Sequence, residues 1–137
     1  MYPAELVAPM KEELTSVGFK DLITASDVDA ALSNADETVL VMVNSVCGCA
    51  AANARPAVTM ASKHSKVPSK LTTVFAGVDQ EAVMQARKHM LPYPPSSPSI
   101  ALFKGGKLVH FIERHHIEGR PAEMIAENLT AAFDEHC

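Results

Sequence analysis

The feature that most constrains the fold is the run Thr38-Val39-Leu40-Val41-Met42-Val43-Asn44, in which five consecutive apolar residues replace the usual alternation. A strand with one face in water alternates apolar and polar side chains. One that is apolar on both faces has to be covered above and below, as in a helix-clad sheet. The flanking segments carry the other period. Leu6, Val7, Met10, Leu14 and Val17 fall at helical spacing between Pro3, suited to a first turn, and Gly18, suited to a stop. A second short helix is expected from Ser26, with Ser26 and Asp29 spaced as a capping pair and Val28, Ala31 and Leu32 inward.

After Cys49 the chain turns alanine-rich through Ala50–Ala61, which favours helix, and Pro56 within it predicts a kink. Thr72–Gly77 reads as the next strand and Glu81–Met90 as the next helix. Strand, helix, strand with a long crossover implies two parallel strands joined right-handedly. Ile100–Phe103 and Leu108–Ile112 flank Lys104-Gly105-Gly106-Lys107, a turn that calls for an antiparallel hairpin. A last helix follows Pro121, with Ile125, Leu129, Ala132 and Phe133 on one face. The order α, α, β, α, β, α, β, β, α describes an α/β chain with a mixed central sheet flanked by helices. Its 137 residues fit one domain, 1–137, large enough to bury a core without a disulfide scaffold.

Charge and hydropathy exclude several functions. With 12 Lys and Arg against 16 Asp and Glu, the net charge is −4 and no basic run offers a nucleic-acid footprint. Val39–Val43 is far shorter than the roughly 20 apolar residues of a membrane span. The start Met1-Tyr2-Pro3-Ala4-Glu5 lacks a signal-peptide pattern, so a cytoplasmic location is expected. The seven methionines are expected in the core.

Three cysteines is an odd number, and two stand one residue apart as Cys47-Gly48-Cys49. In a reducing compartment such a pair does redox or metal chemistry more readily than stapling. It lies just past the end of a buried strand and at the mouth of the next helix, where the positive end of the helix dipole favours a thiolate. Cys47 is expected to be the more exposed sulfur. Cys49 is placed to attack a mixed disulfide on Cys47, with Gly48 giving the backbone freedom to bring the sulfurs together. A bridge across so small a ring is expected to be labile. Redox exchange, metal ligation by two thiolates and a buried structural pair all remain open on spacing alone. Pro94-Pro95-Ser96-Ser97-Pro98-Ser99 precedes the strand Ile100–Phe103, which places Pro98 at a strand start.

Strand, cysteine pair, kinked helix, strand, helix, proline-led strand and hairpin together resemble the thioredoxin fold. On that resemblance Pro98 is the cis-proline that lies against the active-site sulfur, and Ser97 offers backbone groups to a bound peptide or thiol. The blocks Asn44–Ala50, Ala54-Arg55-Pro56, Phe75–Gly77 with Asp79, Pro95–Ser99, His110–Gly119, Asn128–Phe133 and the final Cys137 are more closely similar to the bacilliredoxins. This resemblance implies a cytosolic thiol–disulfide oxidoreductase with a Cys-x-Cys site, acting on mixed disulfides between client proteins and the small thiol bacillithiol. Cys47 would be the nucleophile, Cys49 the resolving thiol and bacillithiol the co-substrate, with no metal, nucleotide or flavin cofactor. Against ordinary thioredoxins there is neither a Trp before the site nor a Cys-x-x-Cys. Against bacilliredoxins, Ala51-Ala52-Asn53 stands where a glycine is expected and His116 where an acidic residue is expected.

Other residues carry paired readings. Arg55, within the active-site helix, is expected either to support the thiolate and pair with a substrate carboxylate, as bacillithiol carries, or to form a structural salt bridge. Asp79 suits a helix cap. Cys137 is a free tail thiol or a third redox partner. His115-His116 beside Arg114 suggest a metal or anion site, although a solvated loop fits the spacing better. Asn128-Leu129-Thr130 matches a glycosylation acceptor but falls on a helix. The alternatives in function are a general disulfide isomerase and a non-enzymatic metal-binding or redox-switch module using the same pair.

Overall fold

The computed structural model describes all 137 residues, Met1–Cys137. Its elements are α1 (Ala4–Thr15), β1 (Lys20–Asp21), α2 (Ala25–Leu32), β2 (Thr38–Asn44), a π-helical turn (Ala50–Ala54) leading into α3 (Arg55–Ala61), β3 (Lys70–Phe75), α4 (Gln80–His89), β4 (Ser99–Lys104), β5 (Lys107–Ile112), a 3-10 turn (Arg114–His116) and α5 (Ala122–His136). The strands form one sheet in the order β1-β3-β2-β4-β5. β3 runs parallel to both β1 and β2, while β4 pairs antiparallel with β2 and β5. No helix is long and apolar enough to cross a membrane.

β2 is the spine, with every residue from Thr38 to Asn44 buried. Because successive side chains point to opposite faces, Leu40 and Met42 enter one core with α1, α3 and α5, whereas Val39, Val41 and Val43 enter a second with α2 and α4. α5 presents Ile125, Leu129, Ala132 and Phe133 to the first core. The hairpin between β4 and β5 turns through Gly105 (φ +59°) and Gly106 (φ +78°), a left-handed pair that side chains disfavour.

Three expectations are corrected, and the irregularity expected at Pro56 is given its form. A two-residue strand, β1, was not legible, being too short to show a period. α2 is capped by Thr24 and Asp27, whose side chains and backbone bond reciprocally, so the helix starts one residue before Ser26. The bend at Pro56 takes the form of a π turn, in which the Arg55 N–H reaches back to the Ala50 carbonyl. Proline lacks an N–H and crowds the carbonyl four residues back, and widening the preceding turn accommodates both. Only Met42 and Met90 are buried among the methionines, while Met1, Met60, Met84 and Met124 are exposed.

Asp79 occupies the position before α4 but makes no side-chain cap. It joins Asp21 around Lys11 instead, at 2.6 and 3.0 Å, tying α1 to β1 and to the loop after β3. Burial opposes the charge on Lys11, yet its hydrogen bonds to Asp79 and Asp21 prevail and hold its pKa above the ordinary lysine value. Burial raises the Asp21 carboxyl, against the pull of Lys11. Lys11→Met would therefore leave two half-buried carboxylates facing each other. At neutral pH we expect a loss of about 2 kcal/mol, discounted from a fully buried pair because Lys11 is 20% exposed. The loss should shrink as pH falls through the carboxylate range, since protonated acids need no counter-ion. Urea unfolding of both proteins at pH 7 and pH 4 measures it, and a loss that does not shrink at pH 4 would refute the charge argument.

Candidate active site

The chain leaves the sheet at Asn44, whose side chain is fully buried. Its Oδ1 accepts from the Ser45 N–H at 2.9 Å and from Arg55 Nη1 at 3.0 Å, and its Nδ2 donates to the Met10 carbonyl at 3.3 Å. Arg55 Nη1 also donates to the Ser45 carbonyl at 2.9 Å, and its Nε pairs with Glu13. A buried guanidinium demands this many acceptors. Meeting that demand locks the end of β2 to α1 and α3 directly before the cysteines. Ser45 Oγ then accepts from the Cys47 N–H at 3.4 Å, and the Cys47 carbonyl opens the helix by accepting from Ala50 and Ala51 at 3.0 and 3.2 Å.

Cys47 and Cys49 are joined as a disulfide with Cα atoms 5.5 Å apart. The two sulfurs face different surroundings. Cys47 lines a cleft of about 350 Å³ together with Ser97, Tyr2, Gly77, Arg87 and Arg114. Cys49 packs against the core formed by α3 and α5. The Ser97–Pro98 peptide is cis, as is Leu91–Pro92, and Pro98 is buried behind Ser97. The Ser97 carbonyl accepts from Arg114 Nη1 at 3.0 Å, while Arg114 also pairs with Glu118. Tyr2 donates its N–H to the Gly77 carbonyl at 3.3 Å. Gly77 has φ +85°, and a Cβ there would meet the Tyr2 ring at 2.7 Å, so glycine is what lets the tyrosine close this wall.

The structure brings Cys47 and Ser97 to one cleft, with Cys49 bonded to Cys47 and Pro98 buried next to Ser97 without lining the cleft, and sets Arg55 apart from them. Arg55 is 4% exposed, does not line the cleft and forms the salt bridge that was its second reading. Cys137 follows the far end of α5. The start of that helix lies by Asn53, which bonds the Arg120 carbonyl, whereas its end lies by His64, 2.8 Å from Asp134. About 1.5 Å of rise per residue over α5 separates Cys137 from the cleft, so it is a free thiol there. Glu113, just before the 3-10 turn, and the exposed His115 and His116 on it gather ligand atoms within 4.8 Å of one another. Tyr2 and Arg87 are the cleft residues that sequence reading missed. They lie some 40 residues from Cys47 on either side and carry no local motif.

Comparison with known proteins agrees with this geometry. The family described as disulphide isomerase matches residues 2–137. The bacilliredoxin of Cytophaga hutchinsonii is 58% identical over 135 residues, covering 98% of this chain and 99% of that one. The chain belongs to the bacilliredoxin family. The bacilliredoxin of Halalkalibacterium halodurans is 50% identical, covering 99% and 94% of the two chains. The fold is that of thioredoxin: Fasciola hepatica thioredoxin superposes with a TM-score of 0.60 at 19% identity, covering 87% of this chain and all of its own. Malassezia sympodialis thioredoxin gives 0.58 at 14% identity, covering 87% and 90%. As a bacilliredoxin of thioredoxin fold, the chain is a thiol–disulfide oxidoreductase.

Arg55→Met would leave the Ser45 carbonyl unpaired and Asn44 Oδ1 with one donor. We expect a loss of about 2–3 kcal/mol in denaturant unfolding, with faster amide exchange at Ser45–Cys47. Unchanged stability would show that the guanidinium does not hold the active-site loop.

Proposed function

We propose that this bacilliredoxin removes bacillithiol from mixed disulfides on client proteins, with Cys47 as nucleophile and Cys49 as resolving thiol. The observation that carries the reading is the division of labour within the pair: Cys47 opens on the cleft while Cys49 packs inward within disulfide reach. The bacilliredoxin names of its relatives support the choice of small thiol.

The reduced enzyme presents the Cys47 thiolate at the start of a helix, where the dipole favours an anion. It attacks the bacillithiol sulfur of a client mixed disulfide in line. A bond forms between Cys47 Sγ and that sulfur, the client–bacillithiol bond breaks, and the client thiolate leaves to take a proton from water. The adduct on Cys47 is then cleared in one of two ways. Cys49 as thiolate attacks Cys47 Sγ, expels bacillithiol and closes the Cys47–Cys49 bridge, which is the state of the structure described. Alternatively, a second bacillithiol attacks the adduct and leaves as the bacillithiol disulfide. From the closed bridge, two molecules of small thiol supply the two electrons that restore the dithiol. Ser97, backed by the buried Pro98, forms the wall against which the mixed disulfide lies, and Arg55 acts at one remove by fixing the strand end. The reaction uses bacillithiol as co-substrate and no prosthetic group, and belongs in a reducing cytoplasm.

Intact mass of Cys49→Ser after brief exposure to a bacillithiolated client protein tests this. We expect one added bacillithiol, absent when Cys47→Ser is also introduced. Reaction with scrambled disulfides but not with the bacillithiolated client would replace this reading with a general disulfide isomerase. Modification of Cys49 in a Cys47→Ser variant at the wild-type rate would reverse the assigned roles.

A further inference from the structure

The carboxylate partner that the sequence suggested, Arg55, has its Nε and Nη1 engaged by Glu13, Asn44 and Ser45 and does not line the cleft. The cleft contains another cation with the opposite character. Arg87, in the last turn of α4, lines both the Cys47 cleft and an adjoining hollow of about 260 Å³ against Gly77, Gln80, Val83 and Met84. Its Nε is buried and has no hydrogen-bond partner. Burial, with no acidic neighbour to offset it, pushes its pKa below the ordinary arginine value. Leaving a guanidinium half-desolvated and unpaired costs stability, and a fold with 16 carboxylates supplies none of them here. The other cleft cation, Arg114, is already bound to Glu118 and to the Ser97 carbonyl. The walls of both hollows carry no acid, so a chain of net charge −4 has a locally positive pocket beside the cysteine that lines the cleft.

We infer that Arg87 is the anion anchor of the active site, binding a carboxylate of the small thiol whose sulfur is joined to Cys47. This inference rests on the bacillithiol reading and adds to it the group that recognises the thiol's charge. A planar guanidinium whose terminal Nη groups have no protein acceptor pairs a carboxylate through two parallel hydrogen bonds, a geometry that lysine cannot reproduce. Anchoring the small thiol at Arg87 also fixes which sulfur of the mixed disulfide meets Cys47. The bacillithiol half occupies the Arg87 side of the cleft, and the client half is left as the leaving group. Selectivity would then arise from a charge contact at one end and a sulfur contact at the other.

The test compares second-order rates of reduced enzyme with one protein carrying a single mixed disulfide to bacillithiol, to neutral 2-mercaptoethanol or to cationic cysteamine. The quantity read is the ratio of rates within each variant, which cancels any loss of folded protein. We expect the wild type to prefer the bacillithiol adduct over both others. In Arg87→Gln the ratio of bacillithiol to 2-mercaptoethanol should fall about tenfold, as for loss of one charge-assisted pair. Arg87→Lys should recover only part of it, and Arg87→Glu should shift preference toward cysteamine. Ratios unchanged in Arg87→Gln and Arg87→Glu, with the wild-type preference intact, would overturn the role of Arg87 and leave the bacillithiol reading standing. A wild type that reacts equally with all three adducts would overturn that reading and this inference together.

Discussion

Burial of β2 on both faces is the constraint from which the rest of this structure follows. A strand with Leu40 and Met42 on one side and Val39, Val41 and Val43 on the other cannot exist without a helical layer on each. The helices that meet this need are the ones that complete the site. α3 brings Arg55 beneath the strand end, α4 brings Arg87 to the cleft, and α5 covers the side on which Cys49 packs. Because β2 pairs parallel with β3 on one side and antiparallel with β4 on the other, its C-terminal end meets the end of β3 and the start of β4 at one sheet margin. Cys47, Gly77 and Ser97 are gathered there by topology alone.

Three charged groups near that margin show how burial sorts similar side chains into different tasks. Arg55 is enclosed and bonded through Nε and Nη1 to three protein acceptors, so it holds the backbone. Arg114 is half held, by Glu118 and the Ser97 carbonyl, and so fixes the proline-led wall of the cleft. Arg87 is partly enclosed and unsatisfied, which is a cost to folding and an opportunity for binding. Lys11, with two carboxylates, belongs with Arg55 and joins α1 to β1 and the loop beyond β3. The protein thus spends its internal ion pairs on the frame around the cysteines and leaves one cation uncommitted at the cleft.

The asymmetry of the cysteine pair has the same origin. Cys47 stands where the strand has ended and the helix has only begun, so its sulfur faces the open margin. Two residues on, the helix has turned Cys49 toward the core. The π turn at Ala50–Ala54 keeps that helix in contact with α5 despite Pro56, with Asn53 reaching the Arg120 carbonyl. Cys137 is packed against the same core that Cys49 touches, following the end of α5 that lies by His64.

Most of the architecture was legible because period and punctuation are local signals. β2, the Gly105-Gly106 hairpin, α5 and the bend at Pro56 each declare themselves within a few residues, and the cysteine pair with its proline-led strand carried the family resemblance. Local signals fail where a side chain's partner is distant. Asp79 turns from its own helix to Lys11, because a tertiary contact outbids the nearest backbone, whereas α2 took Thr24 and Asp27 over Ser26 and Asp29 as its cap, two equally local pairs that spacing did not separate. Arg55 and Arg87 read alike in sequence, as basic residues on helices. Only packing decides that one meets Asn44, Ser45 and Glu13 while the other meets the cleft. The sequence by itself determined where the cysteine pair stands, since residue type and strand–helix context are local. The tertiary structure alone decided which cation stands beside them unpaired, since an electrostatic role depends on burial and partners that spacing along the chain does not encode.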